Sequence, residues 1–204
     1  MTSRSADLFG LAVLVSGNGS NLQAIIDACA DGTLGAEVKV VISNRPDAYA
    51  LTRAADAGVP TLVIEQGDQP RRVYDSELAR AVATVGVDLV VLAGWDRLLS
   101  EAFVTHHTVV NLHPAKPGVF PGLGAIEKAF SGWLDGTVTS GGVMVHFVPD
   151  EGVDDGPVIE TEEVPFEPDD TLETFTERVH ATEHRVVVKA IDKVIALAAR
   201  QPLR

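Results

Sequence analysis

Short, nearly continuous apolar runs recur along this chain, and segments with helical spacing separate them. Most of these runs are rich in Val, Ile and Leu, which is typical of strands that are covered on both faces. The runs predict strands over residues 11–15, 38–42, 61–64, 89–92, 108–112, 143–148 and 158–163.

The intervening segments predict helices over about 21–30, 48–57, 70–85, 100–106, 125–133 and 172–199. Before the last of these, Asp170 followed by Glu173 is interpreted as a capping box with Asp170 as the cap. The alternation predicts an α/β fold: a single-domain, Rossmann-like, doubly wound, mostly parallel sheet with helices on both faces. No Pro- or Ser-rich linker divides residues 1–204, so one domain is expected.

Charge and cysteine content restrict the partners and the compartment. The formal net charge is −13, and the densest basic pair is Arg71-Arg72, so neither a nucleic acid nor an anionic membrane is an expected partner. Cys29 is the one cysteine, which excludes an internal disulfide and fits a reducing compartment. The first apolar stretch, 8–15, is too short to span a bilayer, and a cytoplasmic location is expected.

The loop 16–21 (SGNGSN) joins the first predicted strand to the first predicted helix. Free N–H groups at a helix start, with Gly17 and Gly19 allowing close backbone approach, favour an anion. The third glycine of a dinucleotide fingerprint is missing, so a phosphate monoester is the better candidate. Ser20 or Asn21 is expected to cap the helix, and the alternative to an anion site is an ordinary strand–helix turn with an N-cap.

Asn111 and His113 lie two residues apart near the end of a predicted strand, and Pro114 ends that strand. Residues two apart on a strand project to the same side, so an amide and an imidazole would stand together. Such a pair can stabilise an oxyanion and carry a proton. The alternative is a turn histidine bonded to backbone.

The acidic loop 150–157 follows a strand that contains His146. One of its carboxylates could fix the tautomer of His113 and stabilise its charge. The alternative is a solvated acidic turn. His146 itself is interpreted as a hydrogen-bonded core histidine.

Taken together, these segments resemble the glycinamide ribonucleotide formyltransferases of purine biosynthesis. Asn-Leu-His-Pro at 111–114 with Val-Asp-x-Gly-Pro at 153–157 is specific to formyl-folate transferases and their hydrolase relatives. The Gly-Asn-Gly-Ser-Asn loop narrows the likeness to the glycinamide ribonucleotide branch. The likeness extends through nearly the whole chain.

The resemblance implies the substrates and the residues that bind them. The cosubstrate would be 10-formyltetrahydrofolate, the acceptor would be glycinamide ribonucleotide, and no metal is expected. The catalytic trio would be Asn111, His113 and Asp154. The ribonucleotide would be bound by Gly19, Ser20, Asn21 and Glu183, and the folate by Arg71, Trp95, Asp96, Arg97, Leu98 and Leu99.

Three departures from the family pattern are present. Gly124 stands where the family usually has a histidine, and the loop 115–122 differs in sequence. Asp96 replaces an apolar residue and is expected to pair with Arg97. The assembly state is left open, with a homodimer among the options.

Three alternative functions remain. A formyltetrahydrofolate hydrolase usually carries an extra N-terminal regulatory domain, for which this chain is expected to lack room. A methionyl-tRNA formyltransferase needs an appended tRNA-binding domain and a basic surface. A non-catalytic phosphosugar-binding module would be compatible with the fold but would leave His113 and Asp154 unexplained.

Overall fold

The structure is a computed structural model that describes residues 8–200. Within that part, strands and helices alternate as far as the sixth strand, and the seventh strand follows it directly, as the sequence predicts. The strands are β1 (Phe9–Val15), β2 (Ala36–Ser43), β3 (Thr61–Val63), β4 (Leu89–Leu92), β5 (Val109–His113), β6 (Ser140–Phe147) and β7 (Val158–Pro165). The helices are α1 (Ser20–Ala30), α2 (Tyr49–Asp56), α3 (Arg71–Val85), α4 (Glu101–Val104), α5 (Ala125–Leu134) and α6 (Leu172–Ala198).

The described strands form one sheet in the order β3-β2-β1-β4-β5-β6-β7. Neighbours from β3 to β5 are parallel, whereas β6 runs antiparallel to β5, and β7 runs antiparallel to β6. The chain winds outward from β1 in both directions, which confirms the predicted doubly wound, mostly parallel α/β fold. The order reverses between β1 and β4, where such sheets form a ligand crevice.

Helices cover both faces of the sheet, as predicted. Alternate residues of β1 enter two separate cores: Leu11 and Val13 face α1, α2, α5 and α6, while Ala12 and Leu14 face α3 and α4. Each fully buried Val or Leu side chain contributes about 1.5–3 kcal/mol to folding. No helix within residues 8–200 has the length and apolar character needed to cross a membrane.

Helix α4 is shorter than the predicted 100–106. It ends at Val104, where the bonding changes from α-helical to a tighter turn and the His106 N–H donates to the Phe103 carbonyl. His107 then places its ring Nε2 2.9 Å from the carbonyl oxygen of Ala79 in α3.

The predicted capping box at Asp170 and Glu173 is wrong by one residue. Thr171 is the N-cap of α6: its hydroxyl accepts from the Thr174 N–H at 3.2 Å, and the Thr174 hydroxyl accepts from the Thr171 N–H at 3.0 Å. Asp170 instead accepts two hydrogen bonds from Arg178, at 2.8 and 2.7 Å. A bidentate guanidinium is the stronger partner for a carboxylate, which leaves the cap to the threonine.

Candidate active site

The polar residues of β5 stand on one face of the strand because side chains alternate along it. Val110 and Leu112 are buried in the core with α1, α5 and α6. Asn111 and His113 therefore project from the opposite face, toward the carboxyl end of the strand. The strand's core packing thus fixes the direction of both polar side chains.

Asp154, from the loop between β6 and β7, contacts both of these side chains. Asn111 Nδ2 donates to Asp154 Oδ1 at 2.9 Å, and His113 Nδ1 lies 3.4 Å from Oδ2. The N–H of Gly122 also donates to Oδ2, at 2.8 Å. The structure therefore brings together the three residues predicted to be catalytic, although more than forty positions separate Asp154 from Asn111.

His146 adjoins the same carboxylate, which the sequence did not predict. Its Nε2 lies 3.4 Å from Asp154 Oδ1 and 3.3 Å from Asn111 Nδ2, while its Nδ1 lies 2.8 Å from the carbonyl oxygen of Phe147. The pairing of Asn111 with His146 across β5 and β6 causes this proximity. His146 is buried and hydrogen-bonded, as interpreted, but it is also part of the cluster around Asp154.

The electrostatics of the cluster favour an ionised Asp154. Burial alone would raise the pKa of Asp154, but hydrogen bonds from His146 and the Gly122 N–H, with the charge of His113, hold it below its usual value. Burial lowers the pKa of His113, although the Asp154 charge and the Phe120 carbonyl oppose this shift. Additional negative charge beside the ring would therefore raise the pKa of His113 and favour its protonated form.

The second ring nitrogen of His113 also has a partner. Its Nε2 lies 3.0 Å from the carbonyl oxygen of Phe120, whose φ of 51° is in the left-handed region. The two ring nitrogens therefore face Asp154 and a backbone acceptor. The loop that follows β5 thus helps to orient the imidazole.

A cavity of about 500 Å³ opens beside this cluster. Trp95, Asp96, Arg97, Leu98 and Leu99 all line it, together with Asn111, His113, His146 and Asp154. The buried Trp95 forms part of its wall, whereas Leu98 and Leu123 are exposed. Its size and mixed lining suit a flat heterocycle held by a few polar groups.

The predicted pairing of Asp96 with Arg97 is wrong. Asp96 forms an ion pair with Arg45 and accepts from Asn44 Nδ2 at 2.9 Å. Its N–H donates to Ser16 Oγ at 3.0 Å. The Arg97 guanidinium lies over the ring of Tyr74, 5.4 Å from the centroid. Adjacent residues of this loop point in different directions, so Asp96 reaches the ends of β1 and β2 instead.

Arg71, predicted to bind folate, lies outside the cavity lining and forms an ion pair with Glu151. Glu151 is three positions before Asp154, on the same loop. Arg71 therefore contacts the loop that carries Asp154 and not the cavity itself.

The first loop places the start of α1 at the carboxyl end of β1. Gly19 is the N-cap, with φ 76° and no side-chain cap bond, so the expected cap at Ser20 or Asn21 is wrong. A Cβ at Gly19 would lie 2.5 Å from the Cβ of Ala50, so the close approach of α2 requires glycine there. The first N–H groups of a helix have no intrahelical acceptor, which leaves those of α1 suited to an anion.

Glu183 of α6 lies against this loop. Asn21 Nδ2 donates to its Oε2 at 3.3 Å. Burial raises the pKa of Glu183 to about 7, although the Asn21 hydrogen bond lowers it in part. The residues predicted to bind the ribonucleotide, Gly19, Ser20, Asn21 and Glu183, thus lie together at the start of α1 and do not line the cavity.

We expect Glu183→Gln to stabilise the protein at pH 8 relative to wild type and to have little effect at pH 5. Between the ordinary value of 4.5 and about 7, the folded chain retains a proton that the unfolded chain releases. Glu183 therefore contributes stability below pH 4.5 that is lost as the pH rises through 7. Urea unfolding at both pH values tests this. The control is Glu177→Gln, on an exposed part of α6. If this variant changed the free energy of unfolding at pH 8 as much as Glu183→Gln does, the role of burial would be refuted.

We expect Gly156→Ala to destabilise the protein by about 1–3 kcal/mol and to lower activity. A Cβ at Gly156 would lie 1.9 Å from the carbonyl oxygen of Phe147, so the loop that carries Asp154 must shift. Thermal unfolding and turnover measure both effects. Gly35→Ala is the matched control, because its Cβ would meet nothing within 4 Å. Wild-type stability for Gly156→Ala would contradict the packing argument.

Comparison with known proteins identifies the class to which this fold and site belong. Residues 10–191 match the family described as Formyl transferase. The chain belongs to that family, and it is a formyltransferase enzyme.

Several of its relatives are named phosphoribosylglycinamide formyltransferase. The chain is 45% identical to the phosphoribosylglycinamide formyltransferase of Schizosaccharomyces pombe, over 91% of this chain and 96% of the relative. It is 42% identical to that of Escherichia coli, over 86% of this chain and 82% of the relative. Glycinamide ribonucleotide transformylase 1 from Symbiobacterium toebii superimposes with a TM-score of 0.86 at 40% identity, covering 94% of this chain and 90% of that one.

Two other sequence expectations concern metals and the thiol. Among residues 8–200, no group of three or more His, Cys, Asp or Glu side chains is placed to hold a metal ion. Cys29 is half-buried, and burial, with the charges of Asp31 and Glu37, raises its pKa to about 11. Such a thiol is a poor nucleophile at neutral pH.

Proposed function

We propose that this enzyme transfers the formyl group of 10-formyltetrahydrofolate to the amine of glycinamide ribonucleotide. The products are N-formylglycinamide ribonucleotide and tetrahydrofolate, in cytoplasmic purine biosynthesis. The observation that carries the proposal is the contact of Asp154 with both Asn111 and His113, beside a cavity of about 500 Å³. The names of its relatives supply the acceptor.

The two substrates bind on either side of the cluster. The phosphate of the ribonucleotide lies at the start of α1, on the N–H groups of Gly19, Ser20 and Asn21, and Glu183 contacts its ribose or glycinamide portion. The pterin occupies the cavity lined by 95–99. The amine and the formyl carbon then meet at Asn111 and His113, because both sites open at the carboxyl edge of the sheet.

The reaction begins when the amine nitrogen attacks the formyl carbon, and the carbonyl oxygen gains a negative charge. An amide N–H of Asn111 donates to that oxygen, and so does the imidazole of His113 once its Nε2 exchanges the Phe120 carbonyl for the oxyanion. Since Asn111 Nδ2 donates to Asp154 in the structure, at 2.9 Å, its amide turns toward the oxyanion as the charge develops. The added charge also favours the protonated imidazole, which the ionised Asp154 stabilises.

Collapse of the tetrahedral intermediate breaks the bond between the formyl carbon and N10 of the folate. The amine loses one proton and N10 gains one, so the reaction is balanced without an external acid. We assign the relay of this proton, directly or through a water, to Asp154 and His113.

One assay tests the proposal. The protein is incubated with 10-formyltetrahydrofolate, with and without glycinamide ribonucleotide, and tetrahydrofolate release is followed. Release that requires the amine supports the proposal. Release without the amine indicates a hydrolase, and no release from folded protein indicates a binding module; either result would overturn it.

A further inference from the structure

Glu151 connects the loop that carries Asp154 to the helices α3 and α4. Its carboxylate forms an ion pair with Arg71 and accepts from Arg72 Nη2 at 3.0 Å, both at the start of α3. The same carboxylate accepts the backbone N–H of Glu101 in α4 at 3.1 Å. Three contacts from one side chain thus cross about fifty to eighty positions of sequence.

The part of the loop between Glu151 and Asp154 is short and constrained. Asp154 has a φ of 53°, a conformation that side chains other than glycine rarely adopt. A Cβ at Gly152 would lie 2.2 Å from Asp155 Oδ1, so the loop is folded tightly on itself. A tether three residues from Asp154 therefore restricts where its carboxylate can lie.

Stability alone does not account for these contacts. Glu151 and Arg72 are both partly exposed, with side-chain accessibilities of 29% and 64%. Exposed ion pairs contribute little to the free energy of unfolding, typically below about 1 kcal/mol. Losing the Glu151 contacts would therefore change the free energy of unfolding little. Their main effect is on the position of the loop that carries Asp154, which they join to α3 and α4.

We propose that Glu151 is a positioning residue that holds Asp154 against His113 by fixing its loop to α3 and α4. The inference rests on the proposed function. It also explains why Arg71 pairs with the loop. Displacement of a catalytic group by about 1 Å can cost 10²-fold in rate, and loosening a loop costs less.

The test is Glu151→Gln, which keeps an acceptor for the Glu101 N–H but removes the charge that faces Arg71 and Arg72. We expect kcat to fall roughly tenfold. The KM for glycinamide ribonucleotide and the thermal midpoint should stay near wild type. Arg72→Gln, which removes one partner and lies outside the proposed folate residues, should give a smaller fall.

The histidine provides a readout that does not require turnover. Because the Asp154 charge raises the pKa of His113 against burial, a looser Asp154 lowers that pKa. NMR titration of labelled histidine should show this decrease in Glu151→Gln. Asp150→Asn is the matched control: its carboxylate is exposed and accepts the Gly152 N–H at 2.8 Å, a bond that asparagine keeps.

Two results would overturn the inference. One is a Glu151→Gln variant with wild-type kcat and an unchanged His113 pKa. The other is an equal loss in Asp150→Asn, which would show a general effect of loop charge. An inactive wild-type protein would instead count against the proposed function, and the histidine titration would still decide the positioning role.

Discussion

His113→Ala is expected to lower turnover by at least ~10², with little change in substrate binding. In the proposed mechanism the imidazole both donates to the formyl oxygen and exchanges a proton with the ionised Asp154, which lies 3.4 Å away. Alanine removes both capacities. Steady-state kinetics with both substrates varied separates kcat from KM, and a fall in kcat alone indicates an interaction made in the transition state.

The control for this variant is His107→Ala. The ring of His107 also contacts a backbone carbonyl, that of Ala79 at 2.9 Å, but it lies at the junction of α4 and β5. It should retain wild-type turnover. If His113→Ala kept near-normal rates while circular dichroism showed it folded, His113 would have no place in the mechanism.

Asp154→Asn is expected to lower turnover to a similar extent, at least ~10², while the fold stays intact. The amide has the same shape and can still accept from the Gly122 N–H, but it has no charge to stabilise the imidazolium. The pKa of His113 should therefore fall further, because the charge that opposes the burial effect is lost. The pH dependence of kcat would move in the acid direction.

A control variant and a double variant test this prediction further. Asp155→Asn changes an exposed neighbouring carboxylate and should leave the rate unchanged. The double variant His113→Ala/Asp154→Asn should lose little more than either single variant, because the two residues act as a unit. Fully additive losses would contradict their direct cooperation.

The fold could be predicted because its strands are marked locally. Continuous apolar runs such as 89–92 are buried on both faces, so the pattern needs no knowledge of distant contacts. The ends of elements were less predictable. Helix α4 stops at Val104 in a tighter turn closed by the His106 N–H and the Phe103 carbonyl, and the cap of α6 is Thr171 because Arg178 binds Asp170.

The residues of the site could be predicted together where they lie on one strand. Asn111 and His113 share a face by alternation, whereas His146 joins them through the antiparallel register of β5 and β6, which local patterns do not reveal. Ion pairs between residues far apart in sequence were equally difficult to predict. Asp96 binds Arg45 and not its neighbour Arg97, since loop residues adjacent in sequence point apart.

The alternation along β5 and β6 has a consequence for how such an enzyme can be adapted. Val110, Leu112 and Val145 lie in the core, while the intervening Asn111 and His146 lie in the active cluster. Repacking the first set with residues of similar volume would adjust heat tolerance and leave the proton-handling groups in place. Inserting one residue into either strand would exchange the two sets, so these strands tolerate substitutions far better than changes in length.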